Sequence, residues 1–284
     1  MRDVTITFVH NLSWEDVRPY AVSLVRSGFS GLKLVFVTPG TLPEVRYNLK
    51  RLGFVLVESP APPVNPEHWD EWGWLRFHYA SEYLHGNSEF RYVIWTDARD
   101  VVFQSNVSAW LDRSLSPHSI VVAGLSHTIK DCPSYNDLWV RAVSGSDYNR
   151  IREFEAVACG TFAGTASAMT RMFEDIDIDC RLCCAYVDPR PHPQGVTDQG
   201  MFNVLIRTTP YDTIVRVPWM CEGFSAQWWP AKNNEARTFK NEGFPVFDAE
   251  GGTVYVPGTK IPFSIVHLYD RDDAWLEIMR KKYA

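Results

Sequence analysis

Two carboxylates, Asp97 and Asp100, stand just after the apolar, β-branched run Tyr92-Val93-Ile94-Trp95. Such a run reads as a buried strand, and open α/β sheets bind their ligands at the carboxyl ends of strands. Hard divalent cations such as Mg²⁺ and Mn²⁺ take oxygen ligands, and a carboxylate pair together with phosphate oxygens is a common way to hold them. A strand-to-turn cap, in which Asp97 accepts only backbone hydrogen bonds, accounts for the same residues without a ligand. Arg99 lies between the two acids and could itself face an anion.

Three further groups carry chemistry-bearing residues. Thr197-Asp198-Gln199-Gly200-Met201-Phe202-Asn203 opens a predicted helix with Thr197 as N-cap. On a ~3.6-residue period Gln199 and Asn203 share a face, and Asp198 sits near the positive end of the helix. Carboxylates and amides so placed suit sugar hydroxyls, which offer donors and acceptors together; a capped helix start with a solvated polar face is the plainer reading. His267 closes the segment Phe263-Ser264-Ile265-Val266 and precedes Tyr269-Asp270-Arg271. An imidazole at a strand end can complete an ion site, although a lone histidine more often has no ligand. Cys159-Gly160-Thr161-Phe162-Ala163-Gly164-Thr165 follows a strand but matches neither G-x-x-x-x-G-K-[ST] nor G-x-G-x-x-G, so neither a P-loop nor a dinucleotide site is indicated. A nucleophilic Cys159 would need a base brought from elsewhere in the chain.

The elements that must position these residues alternate between strand and helix patterns through the first half, which predicts βαβ units and a largely parallel sheet. Strands are expected over Val4 to Val9, Leu32 to Val37 and Phe54 to Val57. Helices are expected over Trp14 to Arg26, with Ser13 as N-cap, and over Leu42 to Leu52. A longer helix from about Glu67 to Leu84 has apolar groups around much of its circumference and should be buried. That makes Arg76 conspicuous, because a buried guanidinium needs an anionic partner. The second half is less regular: strands are expected over Ser119 to Ala123 and Ala156 to Gly160, with helices over Ala166 to Asp175 and Asp272 to Lys282.

Composition narrows the function classes. A net charge of -6 over 284 residues, with no basic cluster before the short tail Arg280-Lys281-Lys282, argues against a nucleic-acid partner. No segment approaches the roughly 18 consecutive apolar residues of a membrane span, and the first strand is too short and polar for a signal peptide. The chain therefore reads as soluble and cytoplasmic, with its six cysteines reduced. Cys180, Cys183 and Cys184 with His192 lack the second Cys-x-x-Cys pair of a structural zinc site.

Taken in order, these pieces resemble the nucleotide-sugar glycosyltransferases of the GT-A fold, of the glycogenin and lipopolysaccharide galactosyltransferase kind. The matching residues are Arg76-Phe77, Asp97-Ala98-Arg99-Asp100, Cys159-Gly160-Thr161, Asp198-Gln199-Gly200-Met201-Phe202-Asn203 and His267, in agreement over about residues 4 to 270. The resemblance implies an α/β, Rossmann-like, mixed but mostly parallel sheet flanked by helices in a single domain. Its nucleotide-binding half would run over about 1 to 104, and an acceptor-side half with a C-terminal helix over about 105 to 284. It further implies a nucleoside-diphosphate sugar as donor, a glycan acceptor, and Mn²⁺ or Mg²⁺, with Mn²⁺ favoured, held by Asp97, Asp100 and His267. The donor would meet His10, Asn11, Arg76, Asp97, Arg99, Gly160 and Thr161. Asp198 and Gln199 would act at the reacting sugar, with retention of configuration slightly favoured. Two departures stand out. The second acid of the family motif aligns with Arg99, so either Asp100 or Arg99 faces the diphosphate, and Cys159 replaces a polar residue.

Two other classes fit part of the pattern. A nucleotidyltransferase or sugar-nucleotide hydrolase also presents acids on a parallel sheet, but usually carries a glycine-rich, Lys/Arg-containing loop after its first strand, and Val9-His10-Asn11-Leu12-Ser13-Trp14 has no glycine, lysine or arginine. A non-catalytic carbohydrate-binding protein is suggested by 11 tryptophans, of which Trp110, Trp139, Trp219 and Trp228 are candidate acceptor-side aromatics.

Overall fold

The computed structural model describes residues 1–61, 71–132, 136–186, 198–227 and 245–284, and of residues 71, 72 and 184–186 only the backbone. Glu67, where the long helix is expected to start, His192, Thr197 and Trp228 lie outside the described residues.

The chain runs β1 (Arg2–Val9), α1 (Trp14–Arg26), β2 (Leu32–Val37), α2 (Pro43–Arg51), β3 (Val55–Glu58), α3 (Glu71–His85) and β4 (Phe90–Thr96). There follow β5 (Val101–Phe103), α4 (Val107–Ser114), β6 (Ile120–Thr128), α5 (Asn136–Ser144), α6 (Tyr148–Ile151), β7 (Glu155–Thr165), α7 (Ala166–Tyr186), α8 (Asp198–Leu205) and α9 (Tyr211–Ile214). Short strands β8 (Val215–Arg216), β9 (Ser225–Gln227), β10 (Val246–Asp248), β11 (Thr253–Tyr255) and β12 (Ile265–His267) precede the closing helix α10 (Asp273–Lys282).

Local chemistry sets these elements. Ser13 and Asp16 form a reciprocal capping box that starts α1, and Val17, Tyr20, Ala21 and Leu24 give that helix one buried face at i, i+3, i+4 and i+7. Gly28, with φ of +81°, takes the left-handed turn that leads out of it.

The main sheet has seven strands in the order β3-β2-β1-β4-β7-β6-β8. The first four are parallel, and β7 runs antiparallel to both β4 and β6. Alternate side chains of β1, β2 and β4 enter two cores. Val9, Val35, Val37 and Ile94 meet α1, α2 and α4, while Ile6, Phe8, Phe36 and Trp95 meet α3, α7 and α8. Burial on both faces explains why these strands read as continuous apolar runs. Two elements extend beyond expectation: the glycine-bearing strand runs on to Thr165, and the helix after it continues to Tyr186.

A second sheet, β5-β12-β9, joins β12 antiparallel to β5 and parallel to β9. α10 covers it through Trp275 and Met279. β4 leaves the main sheet at Thr96 and the chain enters this second sheet at Val101. The acids Asp97 and Asp100 occupy that crossing. Among the described residues no helix is long and apolar enough to cross a membrane.

Candidate active site

Asp97 continues the ladder one step past the last strand pair: its N–H donates to the Gly160 carbonyl at 2.9 Å, beside the Thr96–Thr161 register. Three residues later the Asp100 carbonyl accepts from Leu268 N–H at 2.9 Å, which ties the crossing to the end of β12. Asp97 thus hangs from the main sheet while Asp100 and His267 belong to the smaller one, and the junction brings all three together. His267 Nε2 stands 3.7 Å from Asp97 Oδ2 and 3.6 Å from Asp100 Oδ1, with one ligand atom of each residue within 4.8 Å of the others.

Gly160 forms the wall beside them. A Cβ on it would lie 2.3 Å from Asp97 Oδ2 and 2.6 Å from His267 Cε1, so only glycine leaves the ligand atoms room to converge.

The donor set fits a divalent cation. Asp100 and His267 are buried and Asp97 is partly exposed, so the cluster opens to solvent on the Asp97 side. His267 Nδ1 lies 2.8 Å from Gln227 Oε1, and its buried Nε2 has no hydrogen-bond partner among the described residues. Two carboxylates and an imidazole nitrogen suit Mn²⁺ or Mg²⁺. Their charges act strongly on one another. Burial alone would raise Asp97, but the adjacent Arg76 and His267 hold its carboxyl well below the usual range. Asp100 is raised by burial and by the charges of Asp97 and Asp270, against the opposing pull of His267. Burial would lower His267, yet the two carboxylates push it above its ordinary value.

Arg76 finds the anionic partners its burial demanded. Its Nη1 donates to Asp97 Oδ1 at 2.8 Å and its Nη2 to Asp198 Oδ2 at 2.9 Å, while Nε is held by the Gly73 carbonyl at 3.0 Å. The guanidinium also lies over the Trp95 ring, with its carbon 5.4 Å from the ring centroid. One arginine therefore joins the end of β4 to the start of α8. Asp198 Oδ1 accepts its neighbour's N–H, from Gln199 at 2.7 Å, which occupies its other oxygen.

Gln199 and Asn203 share a face, and that face turns to the protein. Beyond Gly160 the first residues of β7 run past the end of β4, and their backbone groups on that side need other partners. Gln199 Oε1 accepts from Cys159 N–H at 2.8 Å, and its Nε2 donates to the Val157 carbonyl and to Asn136 Oδ1. Asn203 closes a two-bond pair with the Val157 N–H and carbonyl. The two amides act as a surrogate strand that fixes β7, and with it Gly160.

The remaining predicted residues are dispersed. His10 and Asn11 follow β1 on the same sheet edge. His10 Nδ1 pairs with Thr38 Oγ1 at 2.7 Å, and burial lowers its pKa. Asn11 is exposed, with φ of +50°. Arg99 turns from the cluster to Asp270, at 2.9 Å, and its carbonyl accepts from Tyr269 Oη. Thr161 is buried, its hydroxyl on the Gly160 carbonyl. Cys159 is buried too, and burial drives its thiol well above the ordinary range, so a ready thiolate nucleophile is not formed there. Trp139 is half-buried on α5, and Trp219 is 49% exposed beside a small recess with Ser126, Glu155 and Phe263. Trp110 does not offer an acceptor face, because it is buried against Phe224 with its indole N–H on the Glu222 carbonyl.

Gln227 was not foreseen. It lies in a stretch rich in Trp, Pro and Gly, and the three-residue strand that carries it is too short to show a period.

No family model and no curated protein matches the sequence. Solved structures do match the fold. The galactosyltransferase LgtC, solved with donor and acceptor sugar analogs, superposes with a TM-score of 0.57 at 12% identity, over 99% of this chain and 95% of that one. The bifunctional glycosyltransferase WbbM, in its apo form, superposes with a TM-score of 0.59 at 9% identity over the whole of this chain, which spans 50% of WbbM. The chain has the GT-A glycosyltransferase fold.

Proposed function

We propose that this chain is a glycosyltransferase that moves a sugar from a nucleoside-diphosphate sugar to a hydroxyl of a carbohydrate or glycoconjugate. The observation that carries the reading is the convergence of Asp97, Asp100 and His267 at the end of β4, in a fold shared with glycosyltransferases. These three residues would hold Mn²⁺ or Mg²⁺, and the imidazole among the oxygens favours Mn²⁺. Held there, such an ion would supply positive charge to the departing diphosphate.

The chain's own groups do the rest. Arg76 adds a fixed positive charge beside Asp97, where a diphosphate oxygen gains charge as the glycosidic bond breaks. Gly160 keeps the wall of the cluster flat, and Gln199 serves the site by holding β7. His10 and Asn11, at the end of β1, face the nucleotide side, in a donor half that closes near residue 104. Asp100 faces the cluster and Arg99 does not, so Asp100 takes the place of the displaced second acid. Trp219 offers the most exposed of the described candidate aromatic faces on the acceptor half; Trp139 and Trp228 are the other proposed contacts.

Both oxygens of Asp198 are engaged, by Arg76 and by Gln199 N–H, which suits it poorly to take a proton from an acceptor hydroxyl. That supports retention of configuration over inversion with Asp198 as base, and NMR of the product anomer tests it.

The test of the activity is a panel of nucleotide sugars incubated with the protein and Mn²⁺. One donor should release its nucleoside diphosphate, faster with an acceptor sugar, and the release should vanish in Asp97→Ala or in excess chelator. Release of a nucleoside monophosphate and a sugar phosphate would instead mark a hydrolase that breaks the P–O bond, and would overturn the reading.

A further inference from the structure

We infer that Gln227 is a positioning residue that fixes the tautomer of His267, so that the Nε2 lone pair, and not an N–H, faces Asp97 and Asp100. The inference rests on the proposed metal site and adds to it a residue outside the ligand set.

The backbone sets the pair. β9 lies parallel to β12 with Gln227 directly opposite His267, so their side chains leave the same face of the small sheet as nearest neighbours. Both are almost fully buried, at 4% and 3% exposure, which denies water as an alternative partner. Gln227 Oε1 lies 2.8 Å from His267 Nδ1, and its Nε2 donates to Ser225 Oγ at 3.0 Å. An amide oxygen only accepts, so the hydrogen of a neutral imidazole must sit on Nδ1. The other ring nitrogen is then bare, buried, without a hydrogen-bond partner among the described residues, and flanked by carboxylate oxygens at 3.6 and 3.7 Å. The opposite tautomer would aim an N–H at the cluster and leave Nδ1 and Oε1, both acceptors, facing each other at 2.8 Å. Ser225 Oγ, two residues back along the strand, meets the other end of the amide. A ring whose second nitrogen is held this way is oriented before the ion arrives, and loss of such a partner typically weakens metal binding by about 10- to 100-fold.

Two measurements test this. In the metal-free wild-type protein at alkaline pH, the ¹⁵N shifts of the His267 ring should report hydrogen on Nδ1; hydrogen on Nε2 would overturn the inference without recourse to any variant. Mn²⁺ alone is then titrated by electron paramagnetic resonance into wild type, Gln227→Leu and Gln227→Glu. Gln227→Leu removes the acceptor and should weaken Mn²⁺ by roughly tenfold or more. Gln227→Glu keeps an acceptor oxygen and should bind at least as tightly as wild type, which separates tautomer control from mere packing. Equal binding by wild type and Gln227→Leu, with His267→Asn weakened, would overturn the role of Gln227 while the metal site stands. Binding that is indifferent to Asp97→Asn and to His267→Asn would overturn the metal site and this inference with it.

Discussion

Gly160 accepts the N–H of Asp97 and faces its carboxylate so closely that a single added methyl would stand 2.3 Å from Oδ2. Retreat of the backbone is limited, because Gln199 holds the N–H of the adjacent Cys159 and Asn203 that of Val157. Gly160→Ala should therefore displace Asp97 and His267. Expected are a loss of Mn²⁺ affinity of roughly tenfold or more and an overpacking cost of about 1–3 kcal/mol, read by metal titration and by urea unfolding.

The displaced acid of the motif gives a second prediction. Asp100 faces His267, whereas Arg99 is latched to Asp270 and its carbonyl to Tyr269. Asp100→Asn should weaken Mn²⁺ by roughly tenfold or more, whereas Arg99→Ala should change it by less than about threefold, since it removes no ligand. Parallel titrations of the two variants check the assignment.

Much of this was legible in the sequence, for physical reasons. Strands buried on both faces and a capped first helix carry strong local signals, and β1, α1 and β2 fall where the pattern predicts. The acids, Arg76 and His267 stand out because charge in an apolar setting needs a partner. What periodicity could not show was direction. Gln199 and Asn203 share a face as predicted, but whether that face meets solvent or β7 depends on where β4 ends. Gln227 depends on the register of two three-residue strands from distant parts of the chain, which leaves no local trace.

Arg76 supports a third prediction. It is the shared partner of Asp97 and Asp198, and Arg76→Met leaves two carboxylates at the cleft without their cation. Breaking a fully buried pair costs about 3–5 kcal/mol; with Asp97 31% exposed the expected loss is roughly 2–3 kcal/mol. Arg76→Lys carries one point charge where a fork is needed, and should recover part of the stability but not the turnover. Thermal melts and donor hydrolysis separate the two effects.

A fourth prediction concerns acid. Asp3 is buried at the start of β1; burial would raise its pKa, but the paired bonds and the charge of Arg91 hold it below the usual value. A carboxyl depressed on folding stabilises the protein above its unfolded value, near 3.9, and that contribution disappears as pH falls through the folded value. Asp3→Asn should cost about 1–2 kcal/mol near neutrality, since Arg91 is half-exposed. The gap from wild type should close at strongly acid pH, and urea unfolding at stepped pH reads it.

The most direct test of the metal-assisted donor site is calorimetric titration of UDP and GDP into the protein with and without Mn²⁺, repeated in His267→Asn. The site as described predicts that a nucleoside diphosphate, from these two or the wider set, binds, that Mn²⁺ strengthens the binding, and that His267→Asn removes the strengthening. Binding that is indifferent to Mn²⁺ and to His267, or failure of every common nucleoside diphosphate to bind, would contradict it.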